Sequence, residues 1–185
     1  MAKVDWETPF STVRVHVWPS ALRVVFPAHP PVHSHDRHIT SFVLGGQYED
    51  VLYRVEPAIA SDSKAVQRYD VRKPPARGAV SGDTLVASDE FVCVSELERR
   101  LVPAHAWHAI PAGVAHETLM TTGQFCVTLA VKGAPLGHGW EFVVDQPGLP
   151  ERLISRRQLT DQERMEVWKE VVPHLESVLE DSSFD

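Results

Sequence analysis

Hydrophobic positions change period along this chain. Up to about residue 144 they alternate with polar ones in short runs broken by Gly, Pro and polar turns, the pattern of β-strands. Past residue 160 they recur every three to four residues, the pattern of a helix. Val13-Arg-Val-His-Val-Trp18 alternates, Pro19-Ser20 interrupts, and Leu22-Arg-Val-Val-Phe26 resumes. Ile39–Leu44 runs into Gly45-Gly46 and Val51–Val55 follows, which predicts a hairpin. Strand character returns at Phe91–Val94, Trp107–Ile110, Ala115–Met120, Phe125–Val131 and Trp140–Val144.

Two stretches depart from this rhythm. Residues 57–90 contain Ser61-Asp-Ser-Lys64, Lys73-Pro-Pro-Ala-Arg-Gly78 and Ser81-Gly-Asp83, which predict an excursion of loops with a small hairpin, long enough to act as a lid. Near the end, Thr160-Asp-Gln-Glu163 reads as a capping box. Val167, Val171, Leu175, Val178 and Leu179 then form the apolar stripe of an amphipathic helix that Pro173 should kink or interrupt. The tail from Asp181 should fray. The expected division is a β-barrel over 1–145, carrying the 57–90 excursion, and a helical extension over 146–185 packed on the barrel or on a partner subunit.

Composition narrows the possible partners. A chain of 185 residues with 43% hydrophobic and 23% charged residues has the make-up of one globular domain with a substantial core. A net charge of −7, with Arg37, Arg54, Arg68 and Arg72 scattered rather than clustered, argues against nucleic acid. No window reaches the apolar length of a membrane span, and the start, Met1-Ala-Lys-Val-Asp-Trp-Glu7, lacks the apolar core of a signal peptide. Cys93 and Cys126 have no CxxC partners, so a disulfide framework is not expected and a reducing cytoplasm fits.

The chemistry lies in two motifs far apart. Pro31-Val-His-Ser-His35 sets His33 and His35 two apart, on one face of an extended strand. Pro111-Ala-Gly-Val-Ala-His116 places His116 after a turn, at the start of another strand. Three imidazoles brought together inside a barrel would hold a divalent transition metal and leave coordination positions open for a substrate.

A β-rich chain with HxH in one strand and PxGxxH leading into another resembles the cupin superfamily. Its motifs are usually written G-x5-H-x-H-x3,4-E-x6-G and G-x5-P-x-G-x2-H-x3-N. His33, His35 and Gly46 match the first, and Pro111, Gly113 and His116 match the second, over roughly residues 20–135. The resemblance implies an all-β fold, a cupin double-stranded β-helix (jelly-roll) barrel with a C-terminal amphipathic helix, and frequently a homodimer. The sequence also departs from the pattern. The glutamate position falls on Ile39 or Thr40, the leading glycine of the second motif on His105, and its final asparagine on Met120. The site therefore looks like that of the three-histidine cupins, which include thiol dioxygenases and diketone-cleaving dioxygenases.

Other residues near the motifs carry open readings. Asp36 and Glu117 adjoin the histidines, but alternation turns both away; a bulge would be needed to re-aim Asp36. His38 is either an exposed loop residue or a fourth ligand, and His105 and His108 are either strand-surface residues or proton shuttles at the pocket. Tyr53, with Val51 and Val55, faces inward if the 39–55 hairpin is regular, and is either a donor to a bound oxygen or substrate anion or a core tyrosine with a satisfied hydroxyl; Tyr53 and His105 are the catalytic candidates. Cys93 and Cys126 read as small core residues.

Three functions compete. The first is a mononuclear non-haem enzyme, with Fe(II) ahead of Zn, Ni, Mn or Co, that oxidises a small anionic or chelating metabolite with dioxygen. The second keeps the metal without oxygen, as an isomerase, cyclase or lyase. The third is a non-catalytic barrel that binds a small molecule.

Overall fold

A computed structural model describes residues 5–7, 12–20, 30–73, 82–121, 123–137, 139–155 and 158–181. The expected strand at 22–26 and the end of the tail lie outside these residues. In chain order the elements are β1 (Asp5–Glu7), β2 (Thr12–Trp18), β3 (Ile39–Gly46), β4 (Tyr48–Ala58), β5 (Val66–Arg72) and β6 (Gly82–Val102). They continue with β7 (Trp107–Ile110), β8 (Ala115–Leu119), β9 (Cys126–Lys132), β10 (Phe142–Asp145), β11 (Glu151–Ser155) and the helix α1 (Asp161–Asp181). The described chain is thus mostly β with one C-terminal helix.

Among the described residues the strands form two sheets. One runs β1-β2-β9-β3-β7; the other runs β10-β5-β6-β4-β8, with β11 added on β6. The second sheet curls until His33 bridges its two edges, pairing with His116 of β8 on one side and Val143 of β10 on the other.

The alternation of the first sheet sorts its residues between two cores. On the outer face Val15, Val17, Phe42, Leu44, Val127 and Leu129 pack against Val167 and Val171 of α1. Each such buried valine contributes about 1.5–3 kcal/mol. On the inner face Val43 and Cys126 meet Tyr48 and Val102 of the second sheet. The helix comes close because Gly45 lacks a side chain: a Cβ there would sit 2.6 Å from His174 Nδ1. The capping box forms, with the Thr160 N–H donating to Glu163 Oε2 at 2.8 Å and the Glu163 N–H to Thr160 Oγ1 at 3.2 Å. The helix runs on through Pro173 rather than breaking. Pro173 is exposed while Val171 stays buried on the sheet before it, so packing holds the turn whose hydrogen bond is lost.

Two sequence expectations need correction. Ile39–Gly46 and Val51–Val55 do not pair: β3 bonds to β7 and β9, and β4 bonds to β6 and β8. The Gly45-Gly46 step is a corner between sheets, turned by Gly46 at φ 74°. The 57–90 stretch is also more regular than its composition suggests. It holds β5 and the first part of β6, paired from Val66↔Val92 to Arg72↔Thr84. Between Gln67↔Phe91 and Tyr69↔Ala87 the register slips, and the extra residues of the bulge, within Ser88–Glu90, lie on β6. Within 146–160, β11 pairs with β6 from Glu151↔Val86 to Ser155↔Gly82.

Candidate metal centre

The backbone stitches the two motifs together. The His33 N–H donates to the His116 carbonyl at 3.0 Å, and the His116 N–H donates back to the His33 carbonyl at 2.8 Å. The Ser34 N–H reaches the Phe142 carbonyl at 2.8 Å, and the Gly113 N–H donates to the His35 carbonyl at 2.9 Å. The histidines therefore sit on an extended segment just before β3, held by β8, β10 and the Pro111–Gly113 turn. Gly113 is required there twice over. Its φ is 76°, and a Cβ would fall 2.3 Å from the Trp140 ring.

The result is a cluster. Ring centroids lie 4.4 Å apart for His33–His116, 4.9 Å for His33–His35 and 5.1 Å for His35–His116. One nitrogen from each ring lies within 4.8 Å of the others, and no carboxylate joins the group among the described residues. His116 is buried and the other two are half-buried. The His33, His35 and His116 group can hold a metal ion.

The hydrogen bonds around the rings suit that use. His33 Nδ1 lies 2.9 Å from the Pro31 carbonyl and His116 Nδ1 lies 3.1 Å from the Val114 carbonyl. A carbonyl only accepts, so each Nδ1 carries the proton and Nε2 is the lone-pair nitrogen. Burial, followed by the Lys132 charge and the neighbouring histidines, holds His35 well below the usual histidine value. Burial also lowers His116, against the opposing pull of the Val114 carbonyl and Asp50. Neutral imidazoles with fixed tautomers are the donors that divalent transition metals take.

The other candidates fall elsewhere. Asp36 accepts from Arg37 Nε at 3.0 Å and lies 3.7 Å from Lys73 Nζ. Burial alone would raise its carboxyl, but Arg37 and Lys73 outweigh burial and lower it. Glu117 accepts the Tyr53 hydroxyl at 2.8 Å. Tyr53 pairs with Ala115 and shares its face and that of Glu117, whereas His116 takes the opposite face with Leu52. Burial and Glu117 push the Tyr53 phenol up to about 12. His105 is exposed at the turn before β7, at φ 64°, with its ring stacked on Phe42. The structure brings neither Tyr53 nor His105 to the three histidines. His38 Nδ1 accepts the Ala112 N–H at 3.2 Å, tying His38 to the second motif's turn. Cys126 is buried and burial pushes its thiol up to about 12; Cys93 is half-buried.

Two further groups stand near the cluster, and of their residues the sequence reading singled out only His108. The first is a buried chain of Tyr48, His108, Asp50 and Arg100. Asp50 pairs with Thr118, one step along the face that carries His116. The Tyr48 hydroxyl lies 2.9 Å from His108 Nδ1, and His108 Nε2 lies 3.0 Å from Asp50 Oδ2, though off the line of a good hydrogen bond. Burial and the Asp50 charge raise Tyr48 far above an ordinary phenol, so its hydroxyl keeps its proton beside His108 Nδ1.

The second is Lys132. In β9, Cys126, Thr128 and Ala130 are buried while Val131 is exposed, so Lys132 shares the inner face. Burial, then the charge of Arg14, brings its amine down to about 7. A charged residue at an inward position was the signal for it, and the expected strand stopped one residue short.

Searches against protein-family models and against curated proteins found no match to this chain. A strand-rich chain with a curled sheet and a three-histidine cluster is compatible with a cupin-like fold. Among the described residues, no helix is long and apolar enough to cross a membrane.

Proposed function

We propose that His33, His35 and His116 hold one divalent transition metal inside a cupin-type jelly-roll barrel. On this reading the metal is iron(II), ahead of zinc, nickel, manganese or cobalt. The protein is then a mononuclear non-haem dioxygenase acting on a small anionic or chelating metabolite. One observation carries the reading: three imidazole nitrogens within 4.8 Å of one another, with no carboxylate in the group.

The bound metal supplies a Lewis-acidic meeting point for substrate and dioxygen. The chain's own residues supply the rest. Pro31 and Val114 fix the His33 and His116 rings by their carbonyls, which keeps Nε2 as the ligating nitrogen. Three neutral donors leave the charge of a divalent ion uncompensated, which favours a substrate that arrives as a thiolate, enolate or carboxylate. Dioxygenation also balances without a separate reductant, because both oxygen atoms end in the product.

The test is metal analysis of anaerobically purified protein beside His33→Ala, His35→Ala and His116→Ala, with oxygen uptake followed on small thiols, enols and carboxylates. Near one iron per chain, lost in each variant, and substrate-dependent oxygen uptake are expected. Turnover without oxygen uptake would move the assignment to a metal-dependent isomerase, cyclase or lyase. No metal after reconstitution would sink the reading.

A further inference from the structure

The surroundings of the three histidines are crowded with positive charge. The charges of Arg14, Lys73 and Arg37 act on Lys132, those of Lys132 and Lys73 act on His35, and Glu141 and Asp36 are the nearby acids. Those acids are already engaged. Arg37 holds Asp36 by a hydrogen bond at 3.0 Å, and Lys73 pairs with both Glu141 and Asp36. The Lys132 side chain is half-buried on the inner face and makes no ion pair or hydrogen bond among the described residues. An ammonium partly withdrawn from water without a counter-charge is costly, and an entering anion would offset that cost.

Lys132 also sits in the right place. It pairs with Thr12 on one side and with Ile39, four residues beyond His35, on the other. Its charge is the second-largest influence on His35 after burial, and it acts on His116 as well. On that face the small residues Ser41, Thr128 and Ala130 leave room, while Ile39 lies directly opposite Lys132 and Arg14 and His16 continue the face on β2. An ammonium with Arg14 beside it matches a compact anionic group such as a carboxylate.

We propose that Lys132 anchors a carboxylate of the small molecule that enters the three-histidine centre, so the substrate is an organic acid with its second donor atom aimed at the histidines. The position of that second donor rests on the metal-centre reading; the carboxylate anchor does not.

The experiment is calorimetric titration of chelator-treated protein with butyrate, butyramide and inorganic phosphate, on wild type, Lys132→Met and Lys132→Arg. Metal content and thermal unfolding are recorded for every sample before chelation. Butyrate should bind the wild type more tightly than butyramide or phosphate, lose about tenfold or more in Lys132→Met, and keep most of its affinity in Lys132→Arg. Equal binding of acid and amide, preference for phosphate, no measurable butyrate binding, or full affinity in folded Lys132→Met would each overturn the proposal. Lys132-dependent butyrate binding in a protein that never holds metal would leave the anchor standing and remove the metal centre. The reverse result would do the opposite.

Discussion

His33 and His116 are partners twice over. Their backbones exchange hydrogen bonds at 3.0 and 2.8 Å, and their rings lie 4.4 Å apart. The same residue that joins the edges of the curled sheet thus brings the two sequence motifs into one cluster. The main-chain part of that relationship does not depend on the imidazole, so the role of the ring in binding can be separated from the role of the backbone in folding.

This separation gives the first prediction. His33→Ala keeps the bridge to β8 and β10, and its metal-free form should unfold within about 1 kcal/mol of metal-free wild type. Added iron(II) or zinc should raise the wild-type melting temperature, by the equivalent of roughly 2.7 kcal/mol at a hundredfold excess over Kd, and leave His33→Ala unmoved. Differential scanning fluorimetry with and without metal checks both parts. An equal metal-induced shift in the variant would remove His33 from the site.

A second prediction concerns Asp50, which is fully buried beside His108 and Arg100. Burial on its own would raise its carboxyl, yet His108, His116 and Arg100 together hold it below the ordinary value of 3.8. A lowered carboxylate contributes stability that is present above 3.8 and is lost as pH falls through the lower folded value. Asp50→Asn leaves the part-exposed Arg100 without its counter-charge and should cost about 1–3 kcal/mol at neutral pH. Urea unfolding should show that gap closing below pH 4. A gap that stays constant into acid would mean the charge of Asp50 does not matter.

Gly45→Ala should weaken the seat of the helix. The new methyl would meet His174, whose own ring is stacked 4.6 Å from Phe125 and so has little room to withdraw. Overpacking of this kind costs about 1–3 kcal/mol. The loss should appear in the urea midpoint, and Gly45→Ala combined with His174→Ala should recover part of it. No recovery in the double variant would locate the strain elsewhere.

How far the sequence reached depends on which interactions are local. The HxH and PxGxxH spacings, the strand at Val13–Trp18 and the Thr160–Glu163 cap are set by residues close in the chain, and each appears where the pattern puts it. The partner of β3 was not local. A Gly-Gly step between two β-runs reads as a hairpin, but Gly46 turns the chain into the other sheet. Both faces of β4 carry buried residues, Val51 on one and Asp50 on the other, and only the pairing with β8 shows that Asp50 shares the face of His116 while Tyr53 bonds to Glu117. Lys132 escaped for another reason: its burial comes from strands 90 or more residues away, β2 and β3, which no window around Lys132 contains.

Lys132 also makes the clearest pH prediction. Burial, with the charges of Arg14, Lys73 and Arg37 against the single opposing Glu141, lowers its amine from 10.5 to about 7 in the folded chain. Below pH 7 the folded and unfolded chains both carry the proton, and the full cost of the buried charge is felt. Between 7 and 10.5 only the unfolded chain holds it, so the Lys132 contribution to stability climbs with pH by up to about 1.4 kcal/mol per unit. Lys132→Met lacks this term. It should be more stable than wild type at pH 6, with the difference shrinking steadily by pH 10, as read from urea unfolding of chelator-treated samples. Saturating butyrate should narrow the gap at pH 6 by giving the ammonium its counter-charge. A difference that ignores both pH and butyrate would show that Lys132 reaches solvent, and would take the carboxylate anchor with it.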